Sequence, residues 1–200
     1  MPVPARCLRV GVVLLLSLSP GLVEESSAEQ GGLAILGIGT GSGTIMCTQC
    51  THAGNMGGST ATIQVVWLAR PHLCVGFTAD WWWHFTDTWE RGTWDFTPAA
   101  FYYPFSRRRF FIGGGPSYSM ILATVNDSAA LTRHGWGFAT EMGYDVAPRR
   151  LVAFTPYIQY SWAWVGNIDY PLGSNVTFAR GWKHDVLSVG LGLTFHESHR

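Results

Sequence analysis

The 200-residue sequence predicts an all-β fold, an eight-stranded antiparallel up-and-down transmembrane β-barrel, and three observations carry that prediction. The first is composition. Charged residues are 13% of the chain, against roughly 25% in an ordinary soluble domain, while aromatics reach 14% and ten residues are Trp. The second is a run of segments in which apolar and small or polar residues alternate with a period of two. The third is the spacing between segments, where short Pro-containing turns alternate with longer polar stretches. The formal net charge is zero, which argues against a nucleic-acid binder relying on a basic surface.

Residues 1–28 read as a secretory signal peptide. Arg6 and Arg9 precede an apolar stretch from Val10 to Leu18, which breaks at Pro20-Gly21, and Ser26, Ser27 and Ala28 supply a small-residue cleavage site. A membrane-spanning helix needs about 20 apolar residues, so this stretch is too short to be one. Cys7 lacks the sequence context of a lipidation site. No later window reaches roughly 18 continuous apolar residues, which leaves 29–200 as a single barrel domain that enters a membrane as strands.

The segments follow in order. Leu33 to Gly43 sets Ala34, Leu36 and Ile38 against Gly37, Gly39 and Gly41. The second sets Ala61, Ile63, Val65 and Trp67 against Thr60, Thr62, Gln64 and Val66. The third opposes Val75, Phe77, Ala79, Trp81, Trp83 and Phe85 to Gly76, Thr78, Asp80, Trp82 and His84. The fourth opposes Trp94, Phe96, Ala100 and Tyr102 to Asp95, Thr97 and Ala99. In the fifth, Phe110, Ile112, Tyr118, Met120 and Leu122 face away from Gly113, Gly115, Ser117 and Ser119. In the sixth, Trp136, Phe138, Met142 and Tyr144 face away from Gly137, Ala139, Glu141, Gly143 and Asp145. The seventh sets Val152, Phe154, Ile158, Tyr160, Trp162 and Trp164 against Thr155, Tyr157, Gln159 and Ser161. The last sets Leu187, Val189, Leu191, Leu193 and Phe195 against Ser188, Gly190, Gly192 and Thr194.

An even number of strands returns both termini to one side. Turns are expected near 70–73, 104–108 and 147–150, and longer external loops near 47–57, 87–92, 123–133 and 167–182. The small-polar face is too meagre to coat a soluble protein but suits the crowded lumen of an eight-stranded barrel. The apolar face is therefore expected to meet lipid. Trp81, Trp83, Trp94, Trp136, Trp162 and Trp164 then form an aromatic belt at the external rim, with Trp67, Tyr102, Phe110, Tyr144, Phe154 and Phe195 near the opposite interface. A soluble secreted barrel binding a ligand inside is the competing fold.

With this layout the chain resembles the small outer-membrane β-barrel family of OmpA/OmpX-like architecture, over about Gly32 to His196. The closing strand Val186–Phe195 is similar to the signal that the outer-membrane assembly machinery reads, although five residues follow Phe195 here. Tyr103-Pro104-Phe105 and Gly143-Tyr144-Asp145 also look like segments of such barrels. The resemblance implies a bacterial outer-membrane location after export, with membrane lipids, lipopolysaccharide and the assembly machinery as partners. It implies no cofactor.

Candidate sites are few. Cys47-Thr48-Gln49-Cys50 followed by His52 can close a disulfide, bind metal or exchange disulfides. No helix start is present to activate a thiol, and a zinc site wants about four ligands where three are at hand. A structural disulfide between Cys47 and Cys50 suits an oxidising compartment, with Cys74 outside it. Asp80, His84, Asp95, Arg109, Glu141 and Asp145 share the inner parity and are expected to form a polar lumen cluster, with Arg109 as partner to Glu141 or Asp145. Arg107, Arg108, Arg149 and Arg150 suit the periplasmic headgroup layer, while Arg133, Arg180 and Lys183 lie at the external rim, within reach of lipopolysaccharide phosphates.

No serine stands beside a base on an outer surface. His134 and His184 near the rim lack a serine partner, His196-Glu197-Ser198 lies beyond the last strand, and Asn126 and Asn175 head glycosylation triplets that matter only in a eukaryote. The expected function is that of a monomeric outer-membrane barrel with a structural or surface-interaction role, its specificity carried by external loops. Narrow-pore or lateral transfer of small or apolar molecules is the alternative, ahead of a lipid-A-modifying enzyme. No catalytic, cofactor or metal residue is assigned.

Overall fold

Alternation at period two gives each segment one apolar and one small or polar face, and in the computed structural model eight such strands close on themselves. The structure describes residues 32–47, 54–86, 89–105, 109–125, 129–146, 152–169 and 177–196. The leader at 1–28 and the positions Cys50, His52, Arg107, Arg108, Asn126, Arg149, Arg150, Asn175 and Ser198 lie outside the described residues. The strands are β1 (Gly32–Met46), β2 (Met56–Arg70), β3 (Leu73–Phe85), β4 (Trp89–Tyr102), β5 (Phe110–Val125), β6 (Ala129–Tyr144), β7 (Val152–Asp169) and β8 (Thr177–His196). Each pairs antiparallel with its chain neighbours, and β8 pairs with β1 to close the sheet.

The stagger sets the geometry. Stepping from partner to partner, Leu36, Ile63, Ala79, Phe96, Tyr118, Trp136, Trp164 and Lys183 lead back to β1 at Met46, ten residues beyond the start. A stagger of that size over eight strands tilts them by about 40° to the barrel axis. Outward-facing Trp83, Trp94, Trp136 and Trp162, at unlike positions in their strands, therefore come to similar heights in the half distant from the termini. Trp67, Tyr102, Tyr144, Phe154 and Phe195 come to a second height near the termini. Strand rise and tilt put the two levels roughly 20 Å apart.

Between the levels the outer surface is largely apolar, with Thr40 and Thr140 as exposed hydroxyls within it. Ile38 is 74% exposed, Phe77 60% and Leu191 50%, with Ile63, Ile112, Ile158, Val189 and Leu193 similarly open.

The connections differ from expectation. Where polar loops were expected at 123–133 and 167–182, β5 continues to Val125, β6 begins at Ala129, β7 reaches Asp169 and β8 begins at Thr177. The connections left at that end are 47–55, 86–88, 126–128 and 170–176, whereas 103–109 and 145–151 at the other end are longer than two of these. Strict alternation of long and short connections therefore does not hold. Backbone pairing carries on past the apolar band, where the outer face no longer has to be apolar, so hydropathy alternation fades before the strand does.

One interruption lies inside the wall. Between β4 and β5 the pairing runs from Trp89↔Val125 to Phe96↔Tyr118, skips three positions, and resumes at Ala100↔Gly114. Pro98 and Pro116 fall opposite each other in the gap. Neither has an N–H, so the two hydrogen bonds that this pair would exchange cannot form. A Pro98→Val, Pro116→Val double variant supplies both donors and should gain about 1 kcal/mol for each restored bond, measured by urea unfolding of the refolded barrel in lipid.

Candidate functional site

Among the described residues the barrel interior is where titratable side chains are gathered out of solvent, and it is layered. Near the chain termini, Val66, Cys74, Ala99, Phe101, Tyr103 and Phe111 form an apolar plug, in which Phe111 meets Phe101 edge-on at 5.6 Å. At the opposite end Ile45, Trp82, Ile121, Val165 and Val186 form a second. Small residues make room for the large rings. A Cβ on Gly43 would stand 2.8 Å from the Trp82 indole, and one on Gly37 would stand 2.8 Å from the Tyr157 ring. Sequence parity placed Trp82 inward but did not show that rings and aliphatic side chains, rather than small polar ones, fill both ends.

Polar groups occupy the layer between. Asp80 and Asp95 are direct cross-strand partners, an arrangement that is repulsive if both are charged. The structure gives them different neighbours. Thr62 donates to Asp80 Oδ1 at 2.5 Å and Thr78 donates to Oδ2 at 3.2 Å. Asp95 accepts from Ser119 and, at 3.4 Å, from Ser117, and its Oδ1 lies 3.5 Å from His184 Nε2. Glu141 accepts from the Gln64 amide. At the terminus-side edge Thr155 donates to Asp145 at 2.6 Å, and the Thr155 and Thr194 hydroxyls meet. All four carboxyls are buried.

Two residues expected in this cluster lie apart from it. His84 sits at the loop-side mouth, where Nδ1 meets the Gly57 carbonyl at 2.7 Å and the ring stacks on Trp82 at 6.2 Å. The indole separates it from the carboxyls. Arg109 is exposed, and its guanidinium donates to the Tyr144 hydroxyl at 3.3 Å. That corrects the expected pairing with Glu141 or Asp145. A guanidinium at a barrel mouth keeps its hydration by turning outward, and only its backbone carbonyl enters the site, accepting from Asp145 N at 2.6 Å.

The base beside the acids is His184, which is fully buried. It was expected at the rim; parity counted back from Ser188 through Val186 puts it on the inner face. Among the residues whose side chains are described no Lys or Arg is buried, and there the interior holds four carboxyls against one imidazole. Ser119, Asp95 and His184 do not form a nucleophilic triad, because the serine donates to the carboxylate and not to the imidazole.

Of the remaining positions, Cys47 is disulfide-bonded, and Cys74 is buried in the terminus-side plug. Trp81, Trp83, Trp94, Trp136, Trp162 and Trp164 all point outward; Trp81 meets Trp94 edge-on at 5.7 Å, and Trp136 and Trp164 are exposed. Among the described residues no cluster of His, Cys, Asp and Glu has the makings of a metal site.

The Asp95–His184 contact should behave as a coupled pair. His184→Leu removes the base and should cost about 3–5 kcal/mol in unfolding free energy, as for other broken buried pairs. Adding Asp95→Asn should recover part of that loss, whereas strictly additive losses would show that the two groups do not interact. Asp145, just beyond β6, provides a second test. Burial pushes its carboxyl up from 3.8 to about 6, against the lowering effect of the Thr155 hydrogen bond. The folded chain holds this proton more tightly than the unfolded one. The resulting stability is complete below pH 3.8 and is lost as pH rises through about 6. Asp145→Asn should flatten that part of the pH–stability curve relative to the parent.

Neither a protein-family model nor a curated protein matches the chain. Solved structures do. Neisserial surface protein A is 14% identical, with 80% of this chain and 96% of that one aligned at a TM-score of 0.52. Outer membrane protein OprG from Pseudomonas aeruginosa is 15% identical over 85% and 97% of the two chains, at 0.53. Outer membrane protein AlkL, determined in DMPC lipid bilayers, is 10% identical over 89% and 95%, at 0.54. Identities this low speak to architecture alone. The chain has the fold of the small eight-stranded outer-membrane β-barrels.

Proposed function

We propose that this protein is an integral bacterial outer-membrane barrel with a structural or surface-interaction role, presented by the strand pairs that rise above the loop-side Trp level. The observation that carries this reading is the broad band of exposed apolar side chains between two aromatic levels. Water penalises so extended an apolar surface, whereas a membrane barrel needs an apolar band about 25 Å tall flanked by aromatics. Trp81, Trp83, Trp94, Trp136, Trp162 and Trp164 then occupy the outer headgroup layer, and Lys183 is near enough to meet lipopolysaccharide phosphates.

The filled interior supports a surface role over conduction. A plug closes each end of the polar layer, and two interior cavities hold about 10 Å³ each, no more than one water apiece. Any specificity then lies on the β5–β6 and β7–β8 ribbons. Buried acids beside a single imidazole serve in this reading as internal hydrogen-bonded packing.

In detergent phase separation the protein should enter the detergent-rich phase, and in planar bilayers it should give no discrete conductance steps. Recovery in the aqueous phase would overturn the membrane assignment; reproducible channel events would overturn the closed lumen.

A further inference from the structure

On the outer wall, where β3, β4 and β5 pass the proline pair, lies an open groove of about 470 Å³. Its sides are Trp67, Val75, Phe77, Pro98, Ala100 and Pro116, and its floor is backbone at Gly76, Ala99, Gly114 and Gly115. The outer face lacks a side chain at Gly114, which shares the outward parity of exposed Ile112 and Pro116, and a Cβ there would collide with the Ala139 carbonyl. Gly114 has a φ of 154°, a conformation L side chains rarely adopt. Bare backbone and an unbonded proline pair thus coincide with a recess in an otherwise bulky surface.

The recess ends blind. The cavity on the inner side of the same wall shares Ala99 and Gly114 with it, yet measures only about 10 Å³ and is backed by Phe101, Glu141 and Gln159. An apolar molecule in the groove would gain nothing by moving inward, because the layer behind is packed and carries a carboxyl.

We propose that this groove is a socket for one acyl chain of a membrane lipid. The inference rests on the outer-membrane reading, and the occupant follows from continuity: the groove opens directly onto the apolar band between the two aromatic levels, where hydrocarbon is the surrounding medium. Its lining offers apolar carbon and ring faces, its volume lies in the range of small-molecule sites, and a flexible unbranched chain can follow a shallow recess across three strands. A chain held there would also cover the Pro98–Pro116 gap with apolar atoms, keeping water from a stretch of wall that lacks ladder hydrogen bonds.

The test fills the socket from outside. Ala100 is exposed on the outer face, so Ala100→Trp, with Ala100→Leu as a milder version, occupies the groove without touching the lumen. Val189, exposed on β8 away from the groove, provides the control Val189→Trp. Each full-length protein is refolded into vesicles of palmitoyl-oleoyl phosphatidylethanolamine and phosphatidylglycerol, extracted gently, and weighed by native mass spectrometry, with heat-modifiable gel mobility reporting the folded barrel. The parent and Val189→Trp should each retain one lipid, and both Ala100 variants should lose it. Retention by the Ala100 variants, or none by a parent that is folded and inserted, overturns the socket and leaves the outer-membrane reading standing. A parent that does not insert overturns both.

Discussion

The pairing of β1 with β8, continuous from Leu33↔His196 to Met46↔Lys183, is the constraint on which the rest of the structure depends. A sheet surrounded by hydrocarbon cannot leave an edge, because no water is present to hydrogen-bond the free N–H and C=O groups. Closing after eight strands satisfies the edge and creates an interior just wide enough for side chains. The ten-residue stagger follows from where that last strand docks. It carries aromatics from unlike sequence positions to two common heights.

Closure also dictates what the interior can hold. Glycine beside Trp82 and Tyr157 is required because a ring and a Cβ cannot share the same space across so narrow a barrel. Carboxyls held there must find donors within the wall, since solvent is cut off by a plug at each end. Thr62, Thr78, Thr155, Gln64, Ser117 and Ser119 supply most of them, and among the described residues His184 supplies the only buried base. Asp80 and Asp95 show how neighbours, more than position, separate two chemically equal groups. Each accepts from two hydroxyls, and Asp95 alone of the two also lies beside an imidazole. The Pro98–Pro116 gap is the single place where the wall departs from continuous pairing between β4 and β5, and it coincides with a recess of the outer surface.

Parity is the strongest signal in the chain, and the faces it assigns agree with the burial of these side chains. Asp80, Asp95, Glu141 and Asp145 are inward, and Trp81, Trp83 and Trp136 are outward. His184, expected near the rim, lies on β8 with its side chain in the lumen, in step with Val186 and Ser188. Arg109 has the correct parity but turns away, because a side chain that long chooses between lumen and water by hydration and not by strand face. Trp82 and His84 share a face, yet their heights differ, and height along a tilted strand depends on stagger, which no single segment contains.

Period-two alternation, the scarcity of charge and the bulk of the outward residues were together enough to determine a closed eight-stranded sheet with an apolar exterior. These are local or compositional quantities, and each strand declares them by itself. Register, stagger, the reach of β5–β8 beyond the apolar band, the opposition of Pro98 to Pro116 and the neighbours of each buried acid were decided only in the tertiary structure. Each is a relation between residues far apart in sequence, and it comes into being only when the sheet closes.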